Sequence, residues 1–281
     1  MIAVCPNPFR DIGLDVTRKT ISILTDAGYD TAVCPVFSEN NQEVLPGDLE
    51  YRLLDDVAAS CTLIIVIGGD GTILHVARTA DANNVPLLGV NLGTKGFMSV
   101  LETGDLPLIL KAAKNEVTIS RRMKLDAALI RDGKTIYTDC ALNDAVVHGY
   151  GDCVKLTVWC NEERIKKFSG DGVIIASPTG STGYSLSAGG PIVEPNAENI
   201  IVSPICAHAM GSRCFVLSPE RTIKVKTEKL HGRRAYLSID GSSVFDLENE
   251  DILIVKRSAQ CTQMVDFGLK SFYDTTYEKL I

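Results

Sequence analysis

Leu63-Ile-Ile-Val-Ile67 runs without a break into Gly68-Gly69-Asp70-Gly71-Thr72. Five consecutive aliphatic residues, three of them Ile, describe a strand buried on both faces, as in a parallel sheet. Helical spacing returns at Ile73, Leu74 and Ala77, so a strand feeds a helix through a glycine-rich turn. Ligands of open α/β sheets bind at the carboxyl ends of such strands. Glycines let a ligand approach the backbone, and free amides at a helix start favour phosphate. Asp70 is the odd member, because a carboxylate repels phosphate. Either it faces a substrate hydroxyl or a metal-bound phosphate, or it caps a helix that starts near Thr72. Neither a P-loop nor a dinucleotide fingerprint fits: no Gly-Lys-[Ser/Thr] follows, and Leu74 fills the third small position.

Outward from this run, the first hundred residues alternate strands and helices. Ile2–Cys5, Thr31–Val36 and Val85–Val90 read as strands, and Ile12–Ala27 as a helix stopped by Gly28. A helix with Asp105 as N-cap is expected up to Lys114. Beyond it the period changes to two. Ala127–Tyr137 folds back at Asp132-Gly133, and Lys155–Lys167 at Asn161-Glu162. Thr222–Val225, Ala235–Ile239 and Ser243–Leu247 continue the strands, with a turn at Asp240-Gly241, and Phe272–Leu280 is weakly helical. The expected fold is an α/β N-terminal domain (1–100), a β-rich, sandwich-like domain (101–262) and a tail (263–281), with the active site between the domains.

Composition narrows the partners. Of 281 residues 28 are basic and 35 acidic, a net charge of −7, which argues against nucleic acid or an anionic membrane. No window approaches the ~18 apolar residues of a membrane span. The opening Met1-Ile-Ala-Val-Cys5 reads as a strand, not a signal peptide. The nine cysteines lack a Cys-x-x-Cys pair and lie mostly in apolar runs, as small buried residues in a reducing cytoplasm.

Further motifs accompany the first. Gly89-Val-Asn-Leu-Gly-Thr-Lys-Gly-Phe97, Leu142-Asn-Asp-Ala-Val-Val147, the long run Asp171 to Pro191, Pro204-Ile-Cys-Ala-His208 and Ser238-Ile-Asp-Gly241 follow in order. Together with Gly-Gly-Asp-Gly-Thr they resemble the NAD kinase family. The resemblance spans residues 67–241, and its 171–191 signature is specific. It implies transfer of a phosphoryl group from ATP or polyphosphate, with Mg²⁺ or another divalent cation, to the adenosine-ribose 2′-hydroxyl of NAD. Asp70 inherits the role of general base. Gly68, Gly69, Gly71 and Thr72 would lie beside phosphates with Asn91, and His75 is either a phosphate contact or a solvated helix residue. Asn143 and Asp144 match the pair that holds adenosine; by themselves they also suit a strand-end turn. Ser169, Asp171, Thr179, Thr182, Gly183, Tyr184, Ser185 and Ser187 carry over as NAD contacts, and Lys155 is a candidate phosphate neutraliser; Lys95, at a variable place in the second glycine motif, either neutralises phosphate or is merely exposed. Gly183 stands where Ala is common. Dimers or tetramers are implied. A lipid or sphingoid-base kinase shares only the first motif, and a catalytically silent dinucleotide-binding regulator would retain Asp70 without using it.

Overall fold

The computed structural model describes residues 1–37, 45–93, 96–208 and 212–280. Lys95 therefore lies outside the described residues. The chain divides into two compact units, Met1–Arg121 with Thr262–Ile281, and Arg122–Cys261.

The first unit is built on four parallel strands, β1 (Ile2–Pro6), β2 (Thr31–Val33), β3 (Leu63–Gly68) and β4 (Leu87–Asn91), in the order β2-β1-β3-β4. Every residue of β1, β3 and β4 is buried, which accounts for their unbroken apolar runs. Register sets Val4 beside Ile65 and Gly68 beside Asn91. The chain leaves β1 toward one edge and β3 toward the other, so their carboxyl ends flank the topological switch point of the sheet. The Asp15–Asp26 helix ends as expected: Gly28 takes φ 83°, its N–H reaches Thr25 O at 2.9 Å, and Tyr29 N–H reaches Leu24 O at 3.0 Å.

Three local expectations are corrected. The first helix starts at Asp15, since Gly13 (φ 70°) and Leu14 (φ 58°) break the spacing read from Ile12. Asp11 supplies its cap, accepting from Val16 N at 3.0 Å and Thr17 N at 2.9 Å. β2 ends at Val33, just before the Cys34-Pro35 step, where proline offers no ladder donor. Asp105 does not cap a helix: its carboxylate accepts from Glu102 N at 3.0 Å, and the helix shrinks to Ile109–Ala113 behind a 3₁₀ turn.

The second unit is a β-sandwich. One layer is antiparallel throughout, in the order β12 (Phe215–Leu217), β11 (Ile200–Ile205), β10 (Gly172–Ala176), β7 (Asp144–Gly149), β14 (Ala235–Ile239), β15 (Ser243–Leu247). The other contains the hairpins β5 (Thr118–Arg131)–β6 (Lys134–Ala141) and β8 (Val154–Cys160)–β9 (Glu163–Gly170), with β13 (Ile223–Thr227) paired to β8 and to the start of β16 (Ile252–Asp266). Asp132 and Gly133 turn the first hairpin with φ 50° and 73°. Val147, Val173, Ile175, Val202 and Leu237 from one layer pack on Leu125, Leu129, Leu156, Val225 and Leu253 from the other. The outer face of the six-stranded layer is covered as well, Val146, Ile174 and Ile201 meeting Ala188 and Val193. That double burial makes Val-Ile-Ile-Ala of β10 apolar throughout and clamps the 177–193 segment to the sheet.

Candidate active site

In the first unit the glycine-rich loop sits at the switch point. Gly68 ends β3, Gly69 precedes the helix, and Asp70 is its first residue. The Asp70 carboxylate does not cap the helix, which removes that alternative. It accepts instead from Phe97 N at 2.7 Å and Met98 N at 3.2 Å, the end of the second glycine motif. Gly96 leaves room for this arrangement, because a Cβ there would stand 2.0 Å from Asp70 Oδ1 and push the carboxylate aside. Thr72 is buried, its hydroxyl accepting from Asn7 Nδ2 at 3.2 Å, so it ties the loop to the end of β1. A cavity of about 290 Å³ opens here, lined by Asn7, Arg10, Phe37, Gly69–Thr72, Gly96 and Lys279. Asn91 is buried beside Gly68; its Nδ2 donates to Gly93 O at 3.1 Å, while its Oδ1 has no partner among the described residues. His75 is exposed, its ring 4.7 Å from that of Phe37, and it is not part of the cavity wall.

In the second unit Asn143 and Asp144 are held by one side chain. Asp240, at its turn with φ 49°, accepts from the amides of Leu142 (2.7 Å), Asn143 (2.7 Å) and Asp144 (3.0 Å). The 177–183 loop locks on from the other side. Ser177 N donates to Asn143 O at 2.8 Å, Ser177 Oγ to Leu142 O at 2.5 Å, and Gly180 N to Ser177 Oγ at 3.2 Å. A Cβ on Gly180 would fall 2.1 Å from Asn143 O, so only glycine permits this approach. The assembly leaves Asn143 Oδ1 and Thr179 Oγ1 buried without partners among the described residues. Unpaired buried oxygens of this kind are costly unless a ligand or water satisfies them. Asp144 is 6% exposed, and burial together with the neighbouring Asp240 charge raises its carboxyl to about 7. Burial also raises Asp240, while its three amide donors and Lys124 act to lower it.

The remaining candidates separate into distinct settings. Thr182 Oγ1 donates to Thr179 O at 3.3 Å, and Gly183 lies beside Asn143 Nδ2. Tyr184 (41% exposed) and Ser187 face solvent on a short helical turn. Ser185 turns inward, fully buried and 2.9 Å from Ser203 Oγ, so its side chain supports the loop instead of facing a ligand. Burial raises the Tyr184 phenol, helped by the charges of Tyr236, Cys206, Asp171 and Asp144. Asp171 accepts from the Cys206 thiol, an interaction that raises that thiol. Lys155 and Ser169 are register partners across β8–β9. Reading the sequence missed Arg10, Lys279 and the anchoring role of Asp240; only Asp240 lay in a quoted motif.

These features define a class: an α/β unit with a carboxylate-bearing glycine loop at its switch point, joined in one chain to a β-sandwich whose Asn143 and Thr179 carry buried, unpaired oxygens. Comparison with known proteins makes it specific. Residues 9–116 match the ATP-NAD kinase N-terminal domain and residues 142–267 the ATP-NAD kinase C-terminal domain. The NAD kinase of Acetivibrio thermocellus is 35% identical, with 99% of this chain and 96% of that one covered. The NAD kinase of Ruminiclostridium cellulolyticum is 32% identical, with coverages of 99% and 97%. Among solved structures, yeast NADH kinase complexed with NADH superposes with a TM-score of 0.84 at 25% identity, covering 99% of this chain and 86% of that one. An NAD kinase from Archaeoglobus fulgidus in complex with ATP shares the fold, with a TM-score of 0.75 at 22% identity and coverages of 100% and 98%. The chain belongs to the NAD kinase family.

Proposed function

We infer that this chain phosphorylates NAD, transferring the terminal phosphoryl group of ATP or polyphosphate to the 2′-hydroxyl of the adenosine ribose to make NADP. The observation that carries this reading is the Asp70 carboxylate, held by two amides in the wall of a glycine-lined cavity. As the ribose oxygen bonds to phosphorus, Asp70 accepts the hydroxyl proton and the bond from phosphorus to the donor's bridging oxygen breaks. Most catalysis in such transfers comes from positioning and charge stabilisation, with a base contributing about 10²–10⁴-fold. Asn143 and Thr179 have unpaired oxygens suited to a nucleoside's donors, and Asp144 suits ribose hydroxyls. Relatives named NAD kinase over the whole chain support this reading, and nothing in them favours a lipid acceptor.

The division of labour we propose gives phosphates to residues 1–100 and NAD to 101–262, with the 263–281 tail returning to pack on the first domain. Among the described residues no three His, Cys, Asp or Glu side chains converge as a metal site. A divalent cation such as Mg²⁺ fits as a companion of the donor phosphates, keeping several waters, and it would neutralise phosphate charge. Self-association into dimers or tetramers is consistent with two sheet edges, β12 and β15, that expose Val216 (49%) and Val244 (62%). Nine free cysteines fit a reducing cytoplasm. No helix among the described residues is long and apolar enough to cross a membrane. The test is incubation of the purified chain with NAD, Mg²⁺ and either donor, reading NADP with an NADP-specific dehydrogenase. Absence of NADP with every donor and metal would remove the proposal.

A further inference from the structure

Two cations reach the Asp70 cavity from segments outside every glycine motif. Arg10 stands in the loop that leaves β1, and this loop is stiffly built. Arg10 N and Asp11 N donate to Asn7 O at 3.0 and 2.9 Å, Asn7 Oδ1 accepts from Phe9 N at 3.1 Å, and Asn7 Nδ2 holds Thr72. Asp11 anchors the far end through Val16 and Thr17. The guanidinium is thereby laid along the glycine loops: a Cβ on Gly69 or Gly93 would stand 3.6 or 3.9 Å from its Nη1.

Lys279 arrives on the Phe272–Leu280 helix. Ser271 and Asp274 cap its start reciprocally, Asp274 N donating to Ser271 Oγ at 3.0 Å and Ser271 N to Asp274 Oδ2 at 3.1 Å. Phe272 and Lys279, seven residues apart, share one face of the helix, and both meet Phe97. The Phe272 ring is 6.2 Å from that of Phe97, and Lys279 Nζ lies 4.0 Å over the same ring. Phe97 is also the residue whose amide donates to Asp70, so the helix docks on the support of the carboxylate. Burial lowers the Lys279 amine's proton affinity, and the Asp70 charge raises it. Among the described residues neither Arg10 nor Lys279 forms an ion pair with a carboxylate, and Asp70 is the single acid in the cavity wall. Two cations against one carboxylate, beside glycine backbone, make a pocket for a multiply charged anion.

We propose that Arg10 and Lys279 bind the phosphate chain of the phosphoryl donor in the Asp70 cavity. The assignment rests on the reading of this site as a kinase centre and adds to it the residues that hold the donor. The shared ligand chemistry is a linear chain of phosphates, from a nucleoside triphosphate or from inorganic polyphosphate. The experiment compares the full chain with Arg10→Ala, Lys279→Met and Lys279→Arg. Methionine keeps an apolar stem on Phe97 and removes the charge; arginine restores it. NADP formation is titrated separately with ATP, with polyphosphate and with NAD. Loss of a charge-assisted contact should raise the donor KM about tenfold or more with either donor. The KM for NAD should stay within about twofold, and Lys279→Arg should recover most of the loss. An unchanged donor KM, or an equal rise in the KM for NAD, would overturn the proposal. A rise with ATP but not with polyphosphate would overturn it too, placing the cations on the nucleoside. Inorganic tripolyphosphate binding, measured calorimetrically without NAD, keeps the test separate from the kinase reading. Should the chain phosphorylate nothing, the wild type must still bind tripolyphosphate about tenfold more tightly than Arg10→Ala. Arg10 is exposed on its loop, so that variant decides the matter even if Lys279→Met loosens the tail helix.

Discussion

Replacing Asp144 with Asn tests whether this buried carboxyl is kept for function at a cost in stability. In the fold its proton affinity rises from the ordinary 3.8 to about 7, through burial and the neighbouring charge of Asp240. Between pH 4 and 7 the folded chain therefore holds a proton that the unfolded chain has released. Stability must fall as pH rises through this window and level off above it. The change is roughly three decades of proton affinity at about 1.4 kcal/mol each, so about 4 kcal/mol is lost by pH 8. Asn has nearly the same shape and never ionises, and it relieves Asp240 as well. Urea unfolding at pH 5 and pH 8 reads the difference. The stability advantage of Asp144→Asn over wild type should grow by about 3 kcal/mol between the two conditions, since only the interval from pH 5 to about 7 contributes. The same variant should bind NAD about tenfold more weakly at pH 8, the scale of one charged hydrogen bond. Its NAD affinity should lose the increase that the wild type shows as pH rises through 7. A stability difference that stays constant with pH would refute the reasoning, because Asp144 would then be ionised at no cost.

Two further substitutions probe the supports of the sites. Asp240→Ala removes the acceptor of three backbone amides and should cost about 3 kcal/mol or more by thermal or urea unfolding. It should also weaken NAD binding, although Asp240 lies behind Asn143 and Asp144. An effect on NAD binding with no loss of stability would contradict this anchoring role. Gly96→Ala forces a methyl against the Asp70 carboxylate and should lower kcat at least tenfold, with a circular dichroism spectrum like that of the wild type. Wild-type turnover in that variant would mean that Asp70 need not hold its place.

Much of this architecture was legible because local patterns and global fold agree. Leu63–Ile67 is apolar at every position and β3 is buried at every position. Asp132-Gly133 and Asp240-Gly241 both adopt the positive φ that such turns demand. Expectations failed where a side chain had two available partners. Asp105 has the chemistry of a cap, but its carboxylate serves the preceding Glu102 amide. Asp70 offered three readings in the sequence, and its bonds to the amides of Phe97 and Met98 remove one of them, the helix cap, through a contact that no local spacing shows. Asp240 reads as a turn residue, yet its carboxylate organises a loop almost a hundred positions earlier (|i−j| of 98, 97 and 96). Arg10 and Lys279 were invisible for the same reason. The first becomes relevant only when β1 and β3 are known to flank the switch point, the second only when the tail helix is seen to lie on Phe97.

The most direct test of the account is the turnover of Asp70→Asn with saturating NAD, donor and Mg²⁺, beside its affinity for NAD. The carboxamide keeps size and one acceptor oxygen for the Phe97 or Met98 amide but cannot take up the ribose proton. The account predicts that the wild type makes NADP, that kcat in the variant falls about 10²-fold or more, and that NAD affinity stays within about threefold. Turnover near that of the wild type would contradict the central claim that Asp70 is the base.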